Sequence, residues 1–357
     1  MLSEAHFGEL SRQGFTVVED VLNAGECDAA IIQYRAWLSQ FRTGEWPHST
    51  HSLIQRYNTG HMQPTWNVRM KSKKVFAQLW NTDKLLSSFD AIAIGRPPED
   101  GVEEFHVPGT HWLHVDQSAA RVGLHAYQGA VYLEEAAEDD WTLLVLQGSH
   151  LLLEDFYNNN PRARIRSITN NFYSFLKEEI VAMKQKGCIE KRVPVPKGGM
   201  VLWDSRLIHA NTRPVQGRKH TGRWRFCVFV SMTPAIWATA NDFRDKQEAY
   251  ESISMTTHWS SQGIRFFNTH IPSYTKQDVE YPKELPDIAK TREAKLISGV
   301  IRFDFTDGKP NGNEFRPQWY KPRARFTFDG AAKIVGCTAA VLALTLVALL
   351  VYRGRRQ

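Results

Sequence analysis

The triplet His114-Val115-Asp116, inside "THWLHVDQS", sets an imidazole and a carboxylate two residues apart. On a strand, residues i and i+2 point to one face, so these two groups project together while Val115 turns away. They are two of the three protein ligands of a 2-His-1-carboxylate metal site. The chain has 13 histidines, so the triplet carries weight only with a partner elsewhere. His209 is the best candidate. In "KGGMVLWDSRLIHANT" a turn leads into an apolar strand, and His209 sits at its polar end, 93 residues after Asp116. Such a triad leaves three coordination positions open on one side, the arrangement of non-haem Fe(II) oxygenases.

Strands must bring these groups together. Residues 1–84 read as an N-terminal helical segment, broken by the strand-like "VVEDVL", with Asn23 as N-cap of "NAGECDAAIIQYRAWLSQF". From about residue 85 the pattern changes. "AYQGAVYLEEA", "TLLVLQGSH" and "RFCVFVSM" alternate and are rich in β-branched and aromatic residues, which predicts strands of a sandwich or closed barrel over 85–235. Residues 151–192 carry helical periodicity and read as an insert, either a lid or a surface excursion. Residues 236–330 form a mixed, polar C-terminal extension.

The formal net charge is +6, and the stretch beyond residue 330 supplies four of these charges through Lys333, Arg353, Arg355 and Arg356. The rest is near neutral, with no footprint for nucleic acid. Four scattered cysteines form no CxxC pair and no disulfide framework, which points to a reducing compartment. The N-terminus has no apolar signal-peptide core. From Ile334 to Tyr352 the chain carries no charge, long enough for a transmembrane helix. The expectation is a C-terminal tail anchor in a membrane, with residues 1–330 cytosolic.

The ordered set "LHVDQS", "YQGAVYL", "LLVLQGSH", "GGMVLWDSRLIHAN" and "RWRFCVFVSM" resembles the phytanoyl-CoA dioxygenase-like family of Fe(II)/2-oxoglutarate oxygenases, over roughly residues 10 to 235. The resemblance implies a mainly β fold with flanking helices: a double-stranded β-helix, or cupin-like jelly roll. It implies iron held by His114, Asp116 and His209, with 2-oxoglutarate and O2 as co-substrates and ascorbate as an optional accessory. It also implies an arginine after the distal histidine that pairs with the far carboxylate of 2-oxoglutarate. Arg225 and Arg223 compete for that role, and Arg225 is preferred because Cys227, Phe229 and Ser231 share its face.

Other polar residues have two readings each. Gln128 faces the barrel interior, where it bonds 2-oxoglutarate or is structural. Asp90 reaches the cavity or ends a turn. His111 and His125 read as structural or outlying, Trp141 and Trp203 as core, and Gly148-Ser149-His150 as the close of a strand. The function expected is hydroxylation of a small-molecule or lipid-like substrate by a membrane-tethered dioxygenase. The alternatives are a non-catalytic tail-anchored scaffold, which loss of a ligand would betray, and a protein hydroxylase. Oligomeric state is not legible.

Overall fold

In the computed structural model, which describes residues 1–320 except Thr43, His111 and 272–278, two antiparallel sheets enclose the candidate ligands. The larger sheet contains β1 (Phe15–Val18), β2 (Leu53–Ile54), β3 (Leu85–Ser87), β4 (Ile92–Gly95), β7 (Tyr127–Tyr132), β11 (Met200–Asp204) and β13 (Arg225–Pro234). Its order is β1-β11-β7-β13-β4-β2, with β3 also paired to β13. The smaller sheet contains β5 (His114–Val115), β8 (Thr142–Gln147), β9 (Tyr173–Ser174), β10 (Ile189–Val193) and β12 (His209–Thr212), in the order β10-β8-β12-β5-β9. A short strand β6 (Arg121–Val122) lies outside both.

The burial pattern explains the layering. Strand β13 is covered on both faces. Phe226, Val228, Val230 and Met232 pack outward against helices, while Cys227 and Phe229 pack inward against the smaller sheet. The outer face of the larger sheet is covered by α2 (Ala24–Leu38) and α3 (Gln63–Leu79), following α1 (Glu4–Gln13). Helix α2 begins where predicted: the Asn23 side chain accepts from the Glu26 N–H, and Glu26 accepts from the Asn23 N–H. The outer face of the smaller sheet is covered by the insert, which forms α4 (Leu153–Asn159), α5 (Pro161–Asn170) and α6 (Lys177–Gln185). A further helix, α7 (Ala240–Glu251), follows the last sheet strand. Met1–Gln318 form one unit, and Trp319 begins a second.

The expected fold class needs correction. The architecture is mixed sheet and helix: α2 and α3 hold 15 and 17 residues, while several strands hold two. Among the described residues no helix is long and apolar enough to cross a membrane. The longest, α3, carries Arg69, Lys71, Lys73 and Lys74. The stretch 334–352, where the sequence placed the span, lies outside the described residues. The transmembrane helix, the tether and the membrane localisation built on it are withdrawn: an apolar run records composition, and a span also requires a continuous helix of about 20 residues.

Candidate metal centre

His114 lies on β5 and His209 on β12, and these strands pair with the two histidines directly opposite each other. Both side chains point into the space between the sheets, while their neighbours Val115 and Ala210 pack outward under the insert. Asp116 follows β5 by one residue and faces the same way. Its Oδ1 lies 3.5 Å from His114 Nε2, and its Oδ2 lies 3.5 Å from His209 Nε2. The three residues each offer a ligand atom, all within 4.8 Å of one another. Ligands of one ion with bonds near 2 Å sit roughly 3 Å apart, so a small inward adjustment would close this set around a metal.

Local hydrogen bonds fix the proton positions. His114 Nδ1 is 3.0 Å from the Trp112 carbonyl, and His209 Nδ1 is 2.9 Å from the Leu207 carbonyl. A carbonyl only accepts, so each Nδ1 carries the proton and each Nε2 turns a lone pair toward Asp116. The rings are also wedged. Trp112 stacks on His114 with centroids 3.9 Å apart, and Trp203 lies 5.2 Å from His209. Burial, reinforced by His209, pushes His114 down to about 4, so it is a neutral donor at pH 7. Burial alone would raise Asp116, but the positive charge that the imidazoles of His114, His209 and His258 carry when protonated outweighs it and draws the carboxyl well below the usual range. Two imidazoles and one carboxylate are the donor set of a facial triad, and the site fits a divalent iron.

The remaining residues fall into two groups. Gln128, on β7, donates through Nε2 to Asp116 Oδ2 at 3.1 Å. Asp90 lines the cavity with Oδ1 bonded to the Ala91 N–H, and burial pushes its carboxyl up to about 7. Arg225 is 2% exposed and donates to Ser52, Tyr132, Asn211 and Cys227. Among the described residues it pairs with no carboxylate. Asn211, two residues after His209, connects it to the cavity wall. Arg223 lies before β13 begins, and its guanidinium is committed to Asp140 and Glu135.

The others are structural. His125 is buried with Nε2 2.7 Å from the Gln318 carbonyl. The Trp141 indole donates to the Arg96 carbonyl. Trp203 lies in the inter-sheet core yet also lines the cavity. Gly148, at φ 85°, turns the chain out of β8, and the Ser149 hydroxyl accepts from the Ile208 N–H. His111 lies outside the described residues.

A cavity of about 360 Å³ opens onto the triad. Its walls include Trp112, Phe172, Phe229, Trp259 and Phe267. Two segments that carry no ligand motif supply part of them. The tip of the insert contributes Asn170, Asn171 and Phe172, with Asn171 at φ 62° ending α5. Residues 257–267 contribute Thr257, His258, Trp259, Arg265 and Phe267. That stretch has no periodicity to read, and hydrogen bonds place it. The Thr256 N–H donates to the Phe89 carbonyl, and the Ser260 hydroxyl donates to the Ser231 carbonyl. His258 arrives with Nδ1 4.0 Å from Asp116 Oδ2.

Comparison with known proteins agrees with this geometry. The phytanoyl-CoA dioxygenase (PhyH) family matches residues 10–215. Ava biosynthesis cluster protein O from Aspergillus versicolor is 24% identical over 275 residues, covering 71% of this chain and 86% of that protein. Among solved structures, GlcNAc Inducible Gene 2 (GIG2) from Candida albicans shares the fold, with a TM-score of 0.58 and 14% identity over 88% of this chain and 80% of that one. The non-haem alpha ketoglutarate dependent carbocyclase SnoK of nogalamycin biosynthesis gives a TM-score of 0.44 and 15% identity, over 66% and 85% of the two chains. The family uses Fe(II), 2-oxoglutarate and O2 and acts on small molecules. With more than half its length matched and a His-Asp-His cluster at the centre of the sandwich, the chain belongs to the phytanoyl-CoA dioxygenase family of Fe(II)/2-oxoglutarate-dependent oxygenases.

Proposed function

We propose that this oxygenase hydroxylates a small, largely apolar molecule bearing a few hydrogen-bonding groups, with His114, Asp116 and His209 holding the iron and Arg225 holding the far carboxylate of 2-oxoglutarate. The observation that carries the reading is the convergence of the three donor atoms at a cavity with aromatic walls. When bound, iron and 2-oxoglutarate supply the oxidising power, and the protein positions and shields them.

Each part has a role derivable from its surroundings. The two imidazoles present lone pairs because backbone carbonyls hold their protons on the far nitrogens. Arg225 is a buried cation whose partners are all neutral, and burying an unpaired charge is costly. A dicarboxylic co-substrate would provide the missing anion and a bidentate partner. Arg223 already has two carboxylates and is the weaker choice. The cavity volume falls in the range of sites for drug-sized ligands, and aromatic walls with scattered amides and an imidazole suit a ring-containing molecule. The name of the Aspergillus versicolor relative places that protein in a biosynthesis cluster, which agrees with a small-molecule substrate.

The test incubates the protein with Fe(II), 2-oxoglutarate and ascorbate, with and without candidate small molecules. Succinate should form, rise when a substrate is present, and disappear in Asp116→Ala. Succinate formation that persists in Asp116→Ala, or is absent from the wild-type protein under all conditions, overturns the reading.

A further inference from the structure

Three donors face the metal position, and each has a hydrogen bond behind it. For His114 and His209 that contact is a backbone carbonyl, which any sequence supplies. For Asp116 it is a side chain, the Gln128 amide, at 3.1 Å. We propose that Gln128 is a positioning residue that orients the Asp116 carboxylate for metal binding; the inference rests on the reading of His114, Asp116 and His209 as ligands.

Asp116 needs such a support. It follows a strand of only two residues, and its own torsions leave the carboxylate free to turn. Gln128 is placed on a firmer element. Strand β7 is paired on both sides, with Gln128 opposite Trp203 of β11 and Ser231 of β13. The side chain is 6% exposed and crosses from the larger sheet to the end of β5. A carboxylate only accepts, so the amide nitrogen faces it. The hydrogen bond therefore fixes which oxygen is engaged and leaves the other toward His114.

The chemical type matters as much as the contact. An arginine or lysine here would neutralise Asp116 and weaken its attraction for a cation. A neutral amide orients the carboxylate and leaves its charge in place.

The experiment titrates Co(II) into the full chain and follows its visible absorption. The variants are Gln128→Met, which keeps length and loses the donor, and Gln128→Asn, which keeps the amide and loses reach. Support of this kind is worth about 10- to 100-fold in metal affinity, so Gln128→Met should bind Co(II) weaker by roughly that factor and Gln128→Asn should fall in between. Thermal midpoints should stay close to wild type, and 2-oxoglutarate affinity at saturating Co(II) should be unchanged. Co(II) affinity equal to wild type in both variants overturns the proposal. So does a loss confined to 2-oxoglutarate, which would make Gln128 a contact of the keto acid. If the wild-type protein itself shows no Co(II) binding that Asp116→Ala abolishes, the ligand assignment has failed rather than the role of Gln128.

Discussion

The two sheets divide the work unequally. The smaller sheet carries His114 and His209 on strands of two and four residues, and Asp116 just past the end of one. The larger sheet carries Gln128 and Arg225 on strands of six and ten residues, in or next to its centre. Candidate ligands thus sit on short elements, and their supports sit on long, doubly paired ones. Short strands alone would leave a metal site loose by more than its geometry tolerates. On the proposed roles, one sheet presents the donors, and the other fixes the anionic groups that must not wander.

The comparison breaks most visibly at the smaller sheet. His209→Ala should abolish both Co(II) absorption and Fe(II)-dependent succinate formation while the fold survives, as judged by circular dichroism. On the larger sheet the expected losses are graded. Arg225→Met should weaken 2-oxoglutarate binding by about 3 kcal/mol, roughly 100-fold, with metal affinity retained, read by calorimetry on the Co(II) form. Equal loss of both would mean that Arg225 holds the sandwich together instead.

A smaller effect probes the helical backing of the larger sheet. His61 is fully buried against Phe89, with Nε2 2.9 Å from the Ser254 carbonyl, and burial pushes it down to about 3. Its folded value is depressed, so its contribution is complete above the unfolded value near 6.5 and is lost as pH falls toward 3. Between pH 7 and pH 5 the folded state should lose about 2 kcal/mol through this side chain. Denaturant unfolding of the wild type and of His61→Gln at both pH values checks it: the variant should show a shallower pH dependence. The smallest effect is expected at Arg223→Met, about 1 kcal/mol of stability with 2-oxoglutarate affinity unchanged, because Asp140 keeps its pairing with Arg218.

The sequence was informative where a local period governed the outcome. Alternation placed His114 and Asp116 on one face and aimed Cys227 and Phe229 inward with Arg225. The same rule misled at Arg223, which would share that face if the strand reached it. Strand β13 starts at Arg225, and Arg223 lies in the preceding turn. Beyond His209, long-range placement was not legible. Nothing in the spacing says that Gln128 meets Asp116, because that contact depends on how two sheets stack. His258 was missed for the same reason: hydrogen bonds to Phe89 and Ser231, far upstream, carry its segment to the cavity. The insert read as helical and as either a lid or a surface excursion; spacing could not choose between them, and its tip lines the cavity. The apolar stretch near the C-terminus showed the opposite failure, since composition there suggested an element that the described fold does not contain.

The walls of the cavity and its floor come from different parts of the chain. The insert tip at 170–172 and the segment 257–267 contribute no member of the His-Asp-His cluster. Selectivity can therefore drift by substitution in these two stretches while the ferrous pocket is inherited intact. A library confined to them would sample new molecules, with Co(II) absorption as an internal check that each member still carries a competent centre.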